Sequence, residues 1–389
     1  MDTASRSAVS HSAVSHLPTS NADGPTVNAD GPTVLAIETS CDETAVAIVR
    51  SRTVLSSVVA SQIEIHQRYG GVVPEVASRE HVGAVGVAIA QAMTEAALGW
   101  AAIDAIAATC APGLVGALMV GVTAAKTLAM VHNKPFLGVH HLEGHIYASY
   151  LSDPQLQPPF LCLLVSGGHT SFVQVKGVGE YTVLGKTRDD AAGEAFDKVA
   201  RLLDLGYPGG PVIDRLAKTG NAKAFALPEG RISLPAGGYH RYDASFSGLK
   251  TAVLRLTDRL KAEAAELAES IPVADVAASF QFTVVRSLVK RVIACVQDYG
   301  LKTVVVGGGV AANSELRSRL QIAAQDNDFR VIFPPMAYCT DNAAMIACVA
   351  AERFARGLRS PLTLGVQSKL SVTDVSELYL FPTTAAPDR

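Results

Sequence analysis

The stretch TVLAIETSCDETAVAIV (33–49) sets two apolar runs on either side of a short polar turn, and FLCLLVSGGHTSFVQV (160–175) repeats that grammar. Each reads as a strand, a turn of small and hydroxyl residues, and a second strand. Backbone N–H groups in such turns can approach a phosphate closely. One copy alone is an ordinary hairpin. Two copies, each opening a half of the molecule, imply an internal duplication with a cleft between the halves.

A third glycine turn lies in KTVVVGGGVAANSELRSRL (302–320), a buried strand followed by a helix opening near Asn313. It fits G-x-G-x-x-A at Gly307, Gly309 and Ala312. A dinucleotide fingerprint also needs an acidic residue about 20 positions on, at the end of the next strand. The next strand, FRVIF, instead runs into Pro334-Pro335 without a carboxylate, so a mononucleotide suits this turn better. In KTRDDAAGEAFDKVARLLDLGYPGGPVIDRLA (186–217), Asp190, Glu194 and Asp197 are spaced to share a helix face. Helix-dipole stabilisation in a first turn accounts for Asp189 and Asp190 but not for Asp197. The glycines Gly209 and Gly210, between prolines, predict a tight turn able to pack against a ligand.

At 389 residues, 49% hydrophobic and 18% charged, the chain is long and apolar enough for two packed lobes. The cysteines (Cys41, Cys110, Cys162, Cys295, Cys339 and Cys348) form no C-x-x-C pair, and most sit in apolar runs, as reduced core thiols of a cytoplasmic protein do. Residues 105–125 carry no charge and match a membrane span in length. Pro112-Gly113 divides them, which predicts a buried strand, a turn and a helix instead. No basic-led apolar segment opens the chain, so no secretory signal is expected. The first 32 residues, rich in Ser, Ala, Thr and Asn with NADGPTV twice in succession, are expected to be a disordered extension. Residues 185–261 hold thirteen Lys/Arg against nine Asp/Glu, a basic stretch in a protein of net charge −3. That asymmetry is compatible with a polyanionic partner, although a solvated face gives the same pattern.

GVHHLEGHIYASYL (138–151) places His141 and His145 one turn apart on one face of a predicted helix. The spacing suits a metal ion, but two imidazoles do not close a site; a distant residue completes it, or the pair is a polar face. A zincin helix requires H-E-x-x-H, with the general base directly after the first histidine. Here Leu142 holds that position and Glu143 follows, rotated by about 100° on the helix. A metalloprotease is therefore rejected.

Nine blocks in order, IETSCDET, GGVVPEVASREH, HHLEGH, LVSGGHT, DDAAGEAFDK, GYPGGP, SFSGLKT, VVGGGVAANSELR and CTDNAAMIA, resemble the tRNA N6-adenosine threonylcarbamoyltransferases over about residues 33–370. The resemblance implies an α/β, actin/Hsp70/hexokinase-like duplicated fold with a central nucleotide and metal cleft. Its expected parts are a first lobe (33–139), a second lobe (140–340), a C-terminal helix and segment packing back on the lobes (341–375) and a tail (376–389). The implied reaction moves threonylcarbamoyl from threonylcarbamoyl-AMP to N6 of adenosine 37, beside the anticodon, in tRNAs reading codons that begin with A. The implied metal ligands are His141, His145 and Asp341, binding one divalent ion, Fe2+ first and Zn2+ second. Asp341 opens an apolar helix, so a helix-dipole charge is its other reading.

Carried over residue by residue, Leu164, Val165, Ser166, Gly167, Gly168, Asp197, Gly210, Asp214 and Asn313 are the expected substrate contacts. Backbone amides of 166–168 would hold phosphate, Asp197 or Asp214 ribose hydroxyls, and 308–313 the adenine. Glu43 and His169 are candidates for a catalytic role, as a proton or water positioner and a phosphate contact. Arg241, Lys250 and Arg255 are the expected tRNA contacts. The resemblance further implies a smaller paralogous subunit and a P-loop ATPase as partners in bacteria, and ATP or ADP with Mg2+ as another ligand. One departure is Ala111-Pro112-Gly113, where the family usually has Gly-Pro-Gly. A stand-alone ATPase or small-molecule kinase of the same fold is the alternative; such kinases use phosphate-bound magnesium rather than a His-His-Asp set. A non-catalytic scaffold would have lost those ligands.

Overall fold

Apolar residues fill Val34–Ile37 of β1 (Thr33–Glu38), and the strand is buried on both faces. In the computed structural model, which describes residues 31–267 and 270–380, β1 pairs antiparallel with β2 (Glu43–Arg50), and β2 with β3 (Thr53–Ser61). The extension expected to be disordered lies outside the described residues up to position 30, as does the tail beyond 380. After α1 (Ile63–Gln67) and α2 (Pro74–Glu95), the chain forms β4 (Ala105–Ala111), α3 (Val115–Val131), β5 (Phe136–His140) and α4 (His141–Ser152). The second half supplies β6 (Phe160–Val165), β7 (Thr170–Gly177) and β8 (Glu180–Lys186), then α5 (Ala192–Leu202), α6 (Gly209–Ala217), α7 (Ser247–Leu267) and α8 (Val273–Tyr299). It ends with β9 (Thr303–Gly307), α9 (Ser314–Asp326), β10 (Arg330–Ile332) and α10 (Ala343–Ala355).

The two five-stranded sheets have the same plan. Their orders are β3-β2-β1-β4-β5 and β8-β7-β6-β9-β10. In each, an antiparallel three-strand meander is extended by two parallel strands. This is the duplication that the repeated strand–turn–strand implies.

Helices α2 and α3 pack on the first sheet, while α10 packs against β1, β2 and β4, and α4 against β6, β9 and α10. The central layer is thus α10 and α4, between the sheets. Strand β6 shows how: Cys162 and Leu164 join the core cluster containing Ile146 and Ile346, whereas Leu161, Leu163 and Val165 join a second cluster with Phe196 and Phe280. Alternate side chains of a strand face opposite ways, so this strand serves both cores. Each fully buried Leu or Phe there contributes about 1.5–3 kcal/mol. Helix α4 shares a core with the first sheet and with α10.

The uncharged run at 105–125 is β4, a turn and the start of α3, and no described helix is long and apolar enough to cross a membrane. Ala111 is an ordinary residue of β4, so its methyl is accommodated. Gly113 is the tight position: a Cβ there would stand 2.7 Å from the Ser40 carbonyl oxygen.

Candidate metal centre and nucleotide cavity

Helix α4 starts directly where β5 ends. His140 caps it, its Nδ1 accepting from the Leu142 N–H at 3.2 Å, which makes His141 the first helical residue and brings His145 onto the same face one turn later. Their rings meet edge-on with centroids 4.7 Å apart. Asp341 arrives from the other end of the chain, next to Asn342, whose side chain caps α10 by accepting from Met345 N–H at 3.0 Å. Asp341 Oδ1 lies 3.2 Å from His145 Nε2 and 3.5 Å from His141 Nε2. One donor atom of each of the three lies within 4.8 Å of the others.

The residues fit a divalent transition metal. Nδ1 of His145 has no hydrogen-bond partner among the described residues although the side chain is 1% exposed, and buried polar atoms are rarely left so; its Nε2 faces Asp341. Two imidazoles and a carboxylate match the donor set of open three-ligand sites for zinc or iron. Burial pushes the Asp341 carboxyl up, but His141 and His145 outweigh it and hold it well below the usual carboxylate range. Burial likewise opposes a charge on His141, and Asp341 and Glu38 overcome it, raising its pKa to about 9. A cation entering the site therefore displaces a proton.

This cluster borders a cavity of 1580 Å³ lined by Glu43, His141, Ser166, Gly167, Gly168, His169, Asp197, Gly210, Asp214, Asn313 and Asp341 among others. The turn after β6 is held by Ser166 N–H donating to the His169 carbonyl at 2.8 Å and His169 N–H donating to Ser166 Oγ at 3.1 Å. Two further glycines clamp it: a Cβ on Gly193 would stand 2.6 Å from Ser166 O, and one on Gly308 2.4 Å from Val165 O. Gly167, Gly168 and Gly210 have open space where a Cβ would go, so bare backbone faces the cavity.

Of the expected substrate contacts, Leu164 and Val165 do not line the cavity; they are wholly buried strand residues that anchor the turn. Three polar contacts also hold the scaffold. Asp197 accepts from Gly209 N–H at 2.8 Å, Asp214 from Ser314 Oγ at 2.8 Å, and Asn313 Oδ1 from Leu316 N–H at 2.9 Å. Burial raises the Asp197 carboxyl, against the Gly209 N–H that lowers it. Burial, then Asp42 and Asp341, pushes Glu43 up to about 9, against a Ser61 hydroxyl donating at 3.3 Å. Burial, then His141 and His145, lowers His169 to about 4.

Two expectations for 186–217 are corrected. Asp189 and Asp190 are not first-turn residues, because α5 begins at Ala192; nor does Asp190 share a helical face with Glu194 and Asp197. Asp189 instead holds the start of α7, accepting from Phe246 N–H and Ser247 Oγ, each at 2.7 Å. Arg241, Lys250 and Arg255 lie outside the cavity lining. Arg241 is paired with Asp298 and Lys250 with Asp190, while Arg255 is exposed and has no ion pair among the described residues. Sequence reasoning missed Glu38, 3.1 Å from His141 Nδ1; its signal was a single acid ending an otherwise apolar strand.

The model of the tRNA N6-adenosine threonylcarbamoyltransferase family matches residues 53–348. The chain belongs to that family. A member from Nostoc punctiforme is 71% identical over 345 residues, covering 89% of this chain and 98% of its own. One from Synechocystis sp. is also 71% identical over 345 residues, with the same coverage. Both are named tRNA N6-adenosine threonylcarbamoyltransferase. The solved structure of HypF from T. kodakarensis aligns with a TM-score of 0.56 at 15% identity, over 85% of this chain and 48% of that one. With the duplicated sheets, that likeness gives this family member the actin/Hsp70/hexokinase-like fold.

Proposed function

We propose that the chain transfers the threonylcarbamoyl group of threonylcarbamoyl-AMP to N6 of adenosine 37 in tRNAs reading codons that begin with A. Family membership supports the reaction, and one observation carries the mechanism: the His141, His145 and Asp341 cluster borders the same cavity as a bare-glycine turn. The N6 amine attacks the carbamoyl carbon, the bond to phosphate oxygen breaks, AMP leaves, and the amine loses a proton. The mixed anhydride is already activated, so orientation supplies much of the rate.

The amides of Gly167 and Gly168 hold phosphate, the Ser166 N–H expected beside them being engaged by the His169 carbonyl; Asp197 or Asp214 accepts from ribose hydroxyls, and residues 308–313 face the adenine. His169 stands beside the phosphate turn with a neutral ring. Glu43, whose carboxyl burial pushes up, faces the cavity and positions a proton or a water there. A divalent metal on His141, His145 and Asp341, iron or zinc, would polarise the carbamoyl carbonyl as a Lewis acid. ATP or ADP with Mg2+ is a further ligand of the cavity. Its volume exceeds the about 300–1,000 Å³ of ordinary small-molecule sites, which suits a nucleotide donor together with an acceptor base.

tRNA meets the 185–261 segment, where Arg255 is available for phosphate. The partners are a smaller paralogous subunit and a P-loop ATPase, and α2 and α3 expose Val82, Val87, Met119 and Met130, surface suited to protein contact. The site of action is the cytoplasm. A stand-alone ATPase or kinase is disfavoured because neither needs the three-ligand cluster.

The test is direct: incubate the purified chain with threonylcarbamoyl-AMP and unmodified tRNA and weigh the nucleosides. Threonylcarbamoyladenosine is expected, and its loss in His141→Ala with an unchanged circular dichroism spectrum. ATP hydrolysis without any modified nucleoside would favour the alternative.

A further inference from the structure

The first sheet ends its central strand in a carboxylate that its own packing does not require. Glu38 is the last residue of β1 and is wholly buried. The equivalent place in the duplicated second sheet, the last residue of β6, has the same hairpin and parallel neighbours and is equally buried. It is Val165, an apolar residue, so this fold closes that position without an acid.

What differs is the surroundings. Glu38 Oε1 accepts from Ser40 N–H at 2.5 Å, and Oε2 from the Thr109 hydroxyl at 2.5 Å. The remaining neighbour is His141 Nδ1, 3.1 Å from Oε2, with Ser40 Oγ also 3.1 Å from that nitrogen. An acceptor-only carboxylate beside a ring nitrogen keeps the proton there and leaves the lone pair on the other nitrogen. That other nitrogen, Nε2, is the one 3.5 Å from Asp341 Oδ1. Among the described residues His145 Nδ1 has no hydrogen-bond partner and its Nε2 faces the Asp341 carboxylate at 3.2 Å, so no carboxylate stands behind its ring as Glu38 stands behind that of His141.

We propose that Glu38 is a positioning residue for metal binding: it accepts the Nδ1 proton of His141 and so turns Nε2 toward Asp341. Thr109 and the Ser40 amide hold Glu38 in place. This rests on the metal reading above. Carboxylates behind ligating histidines raise metal affinity by about 10–100-fold.

Zn2+ competition with a chromophoric chelator tests it on the full chain. Glu38→Gln is expected to weaken Zn2+ binding about 10–100-fold while the protein stays folded. Thr109→Val, which removes one donor to Glu38 without touching His141, should weaken it less, in the same direction. Long-range 1H–15N spectra of Zn2+-loaded wild type give an independent reading that needs no variant to fold. His141 should be ligated through Nε2 with its proton on Nδ1. Wild-type affinity in folded Glu38→Gln, or ligation through Nδ1, overturns the assignment. If wild type itself takes up no Zn2+, the metal reading fails as well, which separates the two cases.

Discussion

Glu143 of α4 and Arg353 of α10 are ion-paired in the layer between the sheets, and the Tyr181 hydroxyl donates to the same carboxylate oxygen at 2.6 Å. Glu143 lies between the two histidines in sequence but faces away from the cavity. This is why it is no general base: it fastens the helix bearing the histidines to the helix that follows Asp341.

Both partners are buried, so removing one strands the other. Arg353→Leu should cost about 3–5 kcal/mol of stability in urea unfolding. Replacing both, by Glu143→Gln with Arg353→Met, should cost less than Arg353→Leu alone. A single-variant loss under about 1 kcal/mol would show that the pair contributes little.

Metal binding should appear as thermal stabilisation. At a free concentration one hundred times Kd, a ligand specific to the folded state adds about 2.7 kcal/mol. Wild type should therefore melt higher with added Zn2+, and His145→Ala and Asp341→Ala should not respond. A response retained in both variants would place the ion elsewhere.

Two neighbouring glycines should behave differently. Gly308 has φ of +94°, and a Cβ on it would stand 2.4 Å from Val165 O, so Gly308→Ala should cost about 1–3 kcal/mol. Gly309 lines the cavity and has open space around its Cβ position. Gly309→Ala should keep stability within about 0.5 kcal/mol and lose AMP affinity in calorimetry. Unchanged AMP binding would remove residues 308–313 from the adenine site.

Asp189 supplies a pH-dependent contribution. Burial raises its carboxyl, but the Ser245 hydroxyl, the Phe246 amide and Ser247 outweigh that and lower it. A lowered carboxyl stabilises fully above its unfolded value, about 3.9, and loses that effect as pH falls through the folded value. Asp189→Ala should thus cost about 0.5–2 kcal/mol at pH 7, with the gap to wild type narrowing as the pH falls below the unfolded value. A gap independent of pH would assign the loss to something other than charge.

tRNA affinity should fall steeply with salt. Arg255→Ala should reduce the slope against log salt by about 1. Arg241→Ala should change it less, because Asp298 already engages that guanidinium. Equal slopes in all three proteins would remove α7 from the interface.

The sequence carried the duplicated hairpins because strand alternation and small-residue turns are local signals; β1–β2 and β6–β7 fall where the pattern predicts. It carried α4 for the same reason, with His141 and His145 on one face. Asp189 was misread because its partner, the start of α7, is nearly sixty residues away, and a helix-dipole account sufficed locally. Glu38 went unnoticed because nothing within β1 shows that His141 lies across from it. Leu164 and Val165 matched a motif whose cavity-facing part begins one residue later, at Ser166. The central position of α4 and α10 depends on two sheets closing over them, which no window of sequence encodes.

Asp341 meets the histidines only because α10 runs back beneath β1 and β2. On the ribosome, both imidazoles emerge nearly two hundred residues ahead of that carboxylate. A half-made chain would lack the third of the proposed ligands, however well its earlier strands have paired. If the three ligands hold a metal as proposed, loading would report completeness, since the site closes only once the last core helix has docked.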